Sequence, residues 1–238
     1  MAASGQGFRD PPRSGCPVVC GGMDGVAQGD LTGRARLRRA ALELFAERGF
    51  EATSTRAVAA RAGLSPALVT RHFGSRDGLR AAVDADVLER IRTALSELEP
   101  APGEPRPQAL MVSLGEVSAR LFGADPVLRG YLRHALAEDG EASAGLFGRL
   151  LRGAGAELER LSRRAGGLAD GADEEWAPFQ MLCLILGPLL LEPVMQPNLD
   201  RPMFDPEVLA ARSAANQRLL ARGLLAHPER ALGGQEGG

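Results

Sequence analysis

Lysine is absent from this chain of 238 residues: all 28 residues in the Lys+Arg class are arginine. A guanidinium fork matches phosphate oxygens better than an ammonium does, so an all-arginine chain suits phosphate contact. With abundant Ala, Gly and Pro, the same bias also reads as the mark of a G- and C-rich genome, which needs no function. Aromatic residues make up only 4% of the chain, so its cores must be filled by Leu, Ala and Val. Cysteine occurs at 16, 20 and 183 alone. Three thiols cannot build a disulfide framework, and a cytoplasmic location is expected. Cys16 and Cys20 have metal-like spacing without companion ligands nearby, so no metal and no other cofactor is expected. The longest apolar run, Met181 to Leu191, falls short of the roughly 18 residues of a membrane span. It also contains Gly187 and Pro188, so it reads as a core helix, and no membrane partner is expected. The N-terminus lacks the basic-then-apolar layout of a signal peptide. A phosphate-cradling loop after a strand, a paired-His metal motif and a nucleophile elbow are all missing, so no enzyme is expected.

What is present is an uneven distribution of charge. The chain carries a net −2, but residues 31–80 hold ten arginines against four acids, a net of +6. The remainder is therefore −8. A basic module on an acidic body is the electrostatic outline of a nucleic-acid-binding protein.

The chain divides accordingly into 1–30, a tail expected to be disordered; 31–79, a helix-turn-helix; 80–228, a helical body; and 229–238, a second tail. The first stretch is rich in Gly, Pro and Ser without apolar periodicity. Met23 lies inside it, just before the first helix, and the start of translation is open between Met1 and Met23. From Thr32 to Arg48 the residues Leu37, Ala41, Leu44 and Phe45 fall on one helical face. Arg34, Arg36, Arg38 and Arg39 crowd the first half of that helix, where cations oppose its dipole. Either phosphate or plain solvent accounts for them. A second helix follows Thr53 or Ser54 as N-cap, with Val58, Ala59 and Ala62 inward. Gly63 makes a turn. Ser65 then caps a third helix with Pro66 at its first position, where the missing N–H is harmless. Val69 and Phe73 face the core with Leu64. That leaves Ala67, Leu68, Thr70, Arg71 and His72 on other faces, a small and basic surface suited to a groove.

A long helix over about 75–98 should link this module to the body. Further helices are expected near 108–122, 126–137, 142–164, 174–191 (kinked at Pro188) and 206–225, about nine in all. No alternation with hairpin turns appears, so the fold class is all-α.

Residues 32 to 79 resemble the DNA-binding domain of the tetracycline-repressor (TetR) family of bacterial regulators. The resemblance rests on Ala41, Leu44-Phe45 and Gly49-Phe50, on Thr55-Arg56, Val58-Ala59 and Gly63-Leu64-Ser65, and on Val69, His72-Phe73, Ser75-Arg76-Asp77 and Leu79. It covers about a fifth of the chain. The body matches in size, helix content and helix order. The resemblance implies a homodimer on a palindromic operator in double-stranded DNA, and a body that binds a small-molecule effector. Carried over by position, Thr55 and Arg56 anchor the second helix on phosphate, with Ser65 at the start of the third. Pro66, Ala67, Thr70 and Arg71 meet bases, and His72 and Arg76 hold phosphate. This chain departs from the family at Thr70, where Tyr is usual, and at Arg76, where Lys is usual. The first departure puts the operator sequence in doubt.

In the body, His134, Trp176, Phe179, Met181 and Cys183 are candidates to line an effector pocket; helix core or subunit interface accounts for them equally. The densest apolar stretches, 182–191 and the helix over 206–225, are expected to form a four-helix dimer interface, two helices from each subunit. The function expected is a ligand-responsive transcriptional regulator, acting as a repressor released by a small apolar molecule. The alternative is a ligand-binding or protein-interaction module that keeps the helix-turn-helix only as scaffold.

Overall fold

A computed structural model describes residues 24–96 and 118–224. Cys16, Cys20 and Met23, the first ten residues of the helix expected from 108, and the C-terminal tail lie outside them. The described residues form helices and connecting turns without a β-strand.

Helix α1 (Asp24–Arg48) begins eight residues before the expected start at Thr32. Leu37, Ala41, Leu44 and Phe45 are all buried. Thr53 closes the far end: its hydroxyl is buried and donates to Gly49 O at 2.8 Å. Helix α2 (Thr55–Ala62) starts at Ser54, whose side chain accepts from Ala57 N–H. It ends at Gly63, left-handed at φ 65°, with Leu64 N–H returning to Ala59 O at 2.9 Å. That double closure requires a residue without a Cβ penalty at positive φ. Helix α3 (Pro66–Phe73) follows after three residues, Gly63 to Ser65. Helix α4 (Arg76–Ser96) starts so close to the end of α3 that a Cβ at Gly78 would sit 2.0 Å from Phe73 O. Glycine there fixes the angle between the two helices.

Beyond residue 117 the first described element is a π-helical turn, Ala119–Gly123, in place of the expected end of an α-helix. Helix α5 (Pro126–Ala137) is capped by Asp125, which accepts from Leu128 N–H at 2.9 Å. Helices α6 (Glu141–Ala165), α7 (Ala177–Met195) and α8 (Pro206–Leu224) complete it. α7 does not stop at Leu191; it runs on through Pro188 and Pro193.

One hydrophobic core runs through both parts, from Leu37 and Phe45 on α1 through Leu79 and Val83 on α4 to Leu132, Leu146 and Leu186. The seam is close: a Cβ at Gly130 of α5 would lie 2.8 Å from Ala46 O of α1. Each large apolar side chain fully buried there contributes about 1.5–3 kcal/mol relative to exposure.

One described segment is long and apolar enough to cross a membrane by length and composition. Ala177–Asn198 reaches a mean hydropathy of 1.6 over a window of which only 22% is buried. The helix expected to end at Leu191 continues to Met195 and carries Pro193 inside its length.

Candidate nucleic-acid interface

The geometry of α3 follows from which residue is pulled inward. Val69 is buried, and Leu64, Leu68 and Phe73 pack partly against the core. Helical periodicity then turns Pro66, Ala67, Thr70 and Arg71 outward, and all four are exposed, as is Ser65 at the N-cap. Ser65 makes no side-chain capping bond. Leu68 departs from the sequence reading: it belongs to the core edge and not to the outer face. Arg56 is exposed at the start of α2, and Thr55 beside it is half-buried. These seven residues form one small surface with two cations at its margins. Exposed hydroxyls, a methyl and guanidinium groups can meet base edges and phosphate oxygens, and the N-terminus of α3 carries no side-chain cap.

His72 and Arg76 are placed differently. His72 is half-buried; its Nε2 faces α1, 3.6 Å from the position a side-chain Cβ would take at Gly33. Arg76 lies over the Phe50 ring at 3.9 Å, donates from Nε to Thr53 O at 3.1 Å, and bonds Phe50 O through Nη2. Its guanidinium therefore ties the start of α4 to the α1–α2 turn. Fixed spacing could show that a cation stands at 76. It could not show that two carbonyls end beside it.

The arginines of α1 follow the same pattern. Each of the four also has a partner within the protein. Arg36 donates to Ala62 O at 2.5 Å, closing the C-terminus of α2. Arg38 pairs with Asp86 of α4 at 3.0 Å, and Arg39 with Glu43 at 3.1 Å. Arg34 stands over the Phe73 ring at 5.5 Å. Arg61 forks onto Glu47, with both bonds at 3.0 Å, and that bond holds the Glu47 carboxyl below its ordinary range.

Behind this surface is a polar joint that sequence reading missed. Arg80 and Asp84 of α4 are both buried, one helical turn apart. Arg80 pairs with Glu138 at 2.9 Å and donates to Ser143 Oγ at 3.2 Å. Asp84 accepts from Tyr131 O–H at 2.6 Å and meets Arg149 at 3.4 Å. Burial pushes the Asp84 carboxyl above its ordinary range, against the pull of Tyr131, Arg149 and Arg80. Burial and the Asp84 charge raise the Tyr131 phenol further, so it keeps its proton and donates. The only signal available in the sequence was a pair of charges beside the Leu79-Val83-Val87 stripe.

The five pocket candidates do not converge. His134 is half-buried against Gly49, and with Arg80 and Glu138 it lines a void of about 10 Å³, the volume of a single water. Trp176 and Phe179 stack edge to face at 5.5 Å, with Phe147 beyond. Met181 is a core residue, and Cys183 is exposed. The larger described clefts lie elsewhere. One of about 370 Å³ separates α1 from α4 and is lined by Arg38, Asp86 and Arg90; another of about 540 Å³ lies between α5 and the end of α7.

With the geometry in hand, the comparisons with known proteins are specific. Residues 37–83 match the family model described as bacterial regulatory proteins, tetR family. The HTH-type transcriptional regulatory protein RaaS of Mycobacterium tuberculosis (strain ATCC 25618 / H37Rv) is 52% identical over 65 residues. That match covers 27% of this chain and 30% of RaaS. Another M. tuberculosis protein, named an HTH-type transcriptional repressor, is 47% identical over 64 residues, or 27% of this chain and 32% of that protein. The matched region thus spans about a third of these relatives. Among solved structures, one titled for the control of antibiotic production by bacterial hormones aligns with 81% of this chain and 97% of its own. It does so at 26% identity and a TM-score of 0.59. The TetR family protein CprB from S. coelicolor A3(2) aligns with 86% of this chain and 94% of its own, at 23% identity and a TM-score of 0.58. Residues 37–83 thus match a tetR-family domain, and the described chain shares the helical fold of the structures it aligns with.

Proposed function

We propose that the protein is a DNA-binding transcriptional regulator that binds a palindromic operator as a homodimer, represses from it, and is released by a small apolar molecule. The observation that carries this reading is the outward face of α3: Ser65, Pro66, Ala67, Thr70 and Arg71 exposed together beside Arg56, with Val69 alone buried. Thr55 and Arg56 hold phosphate in this reading, and the α3 residues read bases. His72 and Arg76 support them from behind. The mycobacterial relatives, named as regulators over the same residues, support the DNA-binding half. The structure that shares 26% identity, titled for control by bacterial hormones, supports an effector bound in the body. A cytoplasmic location and the absence of enzymatic activity belong to the same proposal.

The dimer reading rests on α7. Its inner face buries Ala177, Met181, Leu182, Leu186 and Leu189, while Leu191 and Val194 are 50% and 66% exposed. Leu219 of α8 is exposed as well. Apolar surface of this kind marks an interface, and a second α7–α8 pair would cover it. Sedimentation should show a dimer at micromolar concentration, converted to monomer by Leu191→Glu. A monomeric wild type would remove this part of the proposal.

Selection of bound sequences from a random DNA pool tests the whole. An enriched inverted repeat, with half-sites about 34 Å apart or a multiple of that, is the expected result. Binding should weaken steeply with salt. A pool that fails to enrich would leave the scaffold alternative standing.

A further inference from the structure

We infer that Glu138 is a positioning residue that sets the spacing between the two half-sites, by clamping the reading module at one angle to the body. The inference rests on the proposed DNA-binding function and concerns a residue outside the DNA-facing surface.

Three elements meet on one carboxylate, and a fourth joins through its arginine partner. Glu138 is the C-cap of α5. Its Oε1 accepts from Phe50 N–H, in the turn between α1 and α2, at 3.0 Å. Its Oε2 pairs with Arg80 of α4 at 2.9 Å. The same guanidinium lies over the Phe50 ring at 4.7 Å and donates to Ser143 Oγ in the first turn of α6. The module is therefore held to the body at two points of its own, the α1–α2 turn and α4, by one side chain of the body. A single contact would leave the module free to rotate in any direction about it; the two contacts on Glu138 leave one axis, and the Asp84 pairings further along α4 close it. One turn further along α4, Asp84 repeats the arrangement with Tyr131 of α5 and Arg149 of α6. The Gly130–Ala46 contact leaves no room for the helices to slide past each other. Arg80 and Glu138 lie away from the exposed face of α3, so their effect on DNA must pass through orientation.

Orientation matters because the operator is periodic. Each added base pair moves a half-site by about 3.4 Å and turns it by roughly 35° around the duplex. A module clamped at one angle can serve one spacing well; a module on a loose joint can follow several.

The test uses the full-length protein and the half-site obtained from the random-pool selection, rebuilt as inverted repeats with spacers varied one base pair at a time. Glu138→Gln keeps an acceptor for Phe50 N–H but removes the charge that holds Arg80; Glu138→Ala removes both. Wild type should prefer its best spacing over one two base pairs longer by about tenfold or more. Glu138→Gln should reduce that ratio to about threefold, and Glu138→Ala further, while affinity for a single half-site stays within about twofold. Circular dichroism and the melting temperature report whether each variant is folded, and Glu138→Gln remains informative where Glu138→Ala unfolds. Spacing preference unchanged in a folded Glu138→Gln overturns the inference. So does an equal loss on single and paired half-sites, which would place the residue in the reading head itself. Wild type that binds none of the DNAs counts against the proposed function, and would do so before any variant is compared.

Discussion

The outer and inner arginines of the module share a sequence environment and differ in what they do. Arg56 and Arg71 stand exposed beside the start of α2 and on α3. Arg36, Arg76 and Arg80 are folded onto carbonyls, a ring and a carboxylate. All five contribute to the excess positive charge that first suggested a nucleic-acid partner, yet three of them hold the protein together. Net charge over a segment locates a nucleic-acid surface only coarsely. Which cations face the duplex is decided by what lies within a side chain's reach in the fold.

The comparison breaks most clearly at Arg80. Removing one partner of a buried ion pair leaves the other charged and unsolvated, which costs about 3–5 kcal/mol. Arg80→Ala should lower unfolding free energy by that amount in denaturant titrations and leave Glu138 stranded. If Arg80→Ala were as stable as wild type, the joint would contribute nothing and the inner class would lose its defining member.

Arg76 tests the boundary between the classes. In this structure its guanidinium serves Phe50 O and Thr53 O. Hydrogen bonds from a charged donor are worth about 1.5–3 kcal/mol each when buried, and partial exposure here reduces that to about 2 kcal/mol for the pair. Arg76→Ala should therefore melt earlier, yet keep the wild-type slope of log affinity against log salt. Arg71→Ala and Arg56→Ala should do the reverse: stability within about 0.5 kcal/mol of wild type, and DNA affinity reduced by about 1 kcal/mol or more. For Arg56, the salt slope should fall by about one. A reduced salt slope in Arg76→Ala would move that residue to the outer class and restore the role the family resemblance implies for it.

The fold was legible in this sequence wherever local rules were sufficient. Ser54, Gly63 and Pro66 announce helix ends through their own backbone preferences, and the Leu37-Ala41-Leu44-Phe45 stripe announces a buried face. The boundaries of α2 and α3 and the start of α4 accordingly fall within a residue or two of expectation. The outer residues of α3 were legible by subtraction once Val69 was assigned inward. What could not be read were partners remote in the chain. Arg80 finds Glu138 and Ser143 about sixty positions away, and Asp84 finds Tyr131 and Arg149. No periodicity encodes such a meeting. The pocket residues were chosen by type, and type does not bring side chains to one place. His134 packs on the α1–α2 turn, while Trp176 and Phe179 pack on each other.

The smallest expected effect lies at Asp84, and its sign is informative. Burial raises this carboxyl above its unfolded value, so the folded state holds the proton more tightly than the unfolded chain does. Folding is therefore favoured at low pH as far as this group is concerned. The advantage fades as pH rises from the ordinary aspartate range through the raised value. Asp84→Asn keeps an oxygen for Tyr131 O–H and does not titrate. The stability of wild type relative to Asp84→Asn should accordingly decline as pH rises across that window, then level off. Urea titrations of both proteins at several pH values give the difference directly and cancel the other carboxylates they share. A difference that instead grew with pH would mean that Arg149 and Arg80 outweigh burial. Asp84 would then join Glu138 as a carboxylate held by its charge, and the inner joint would be governed by ion pairing alone.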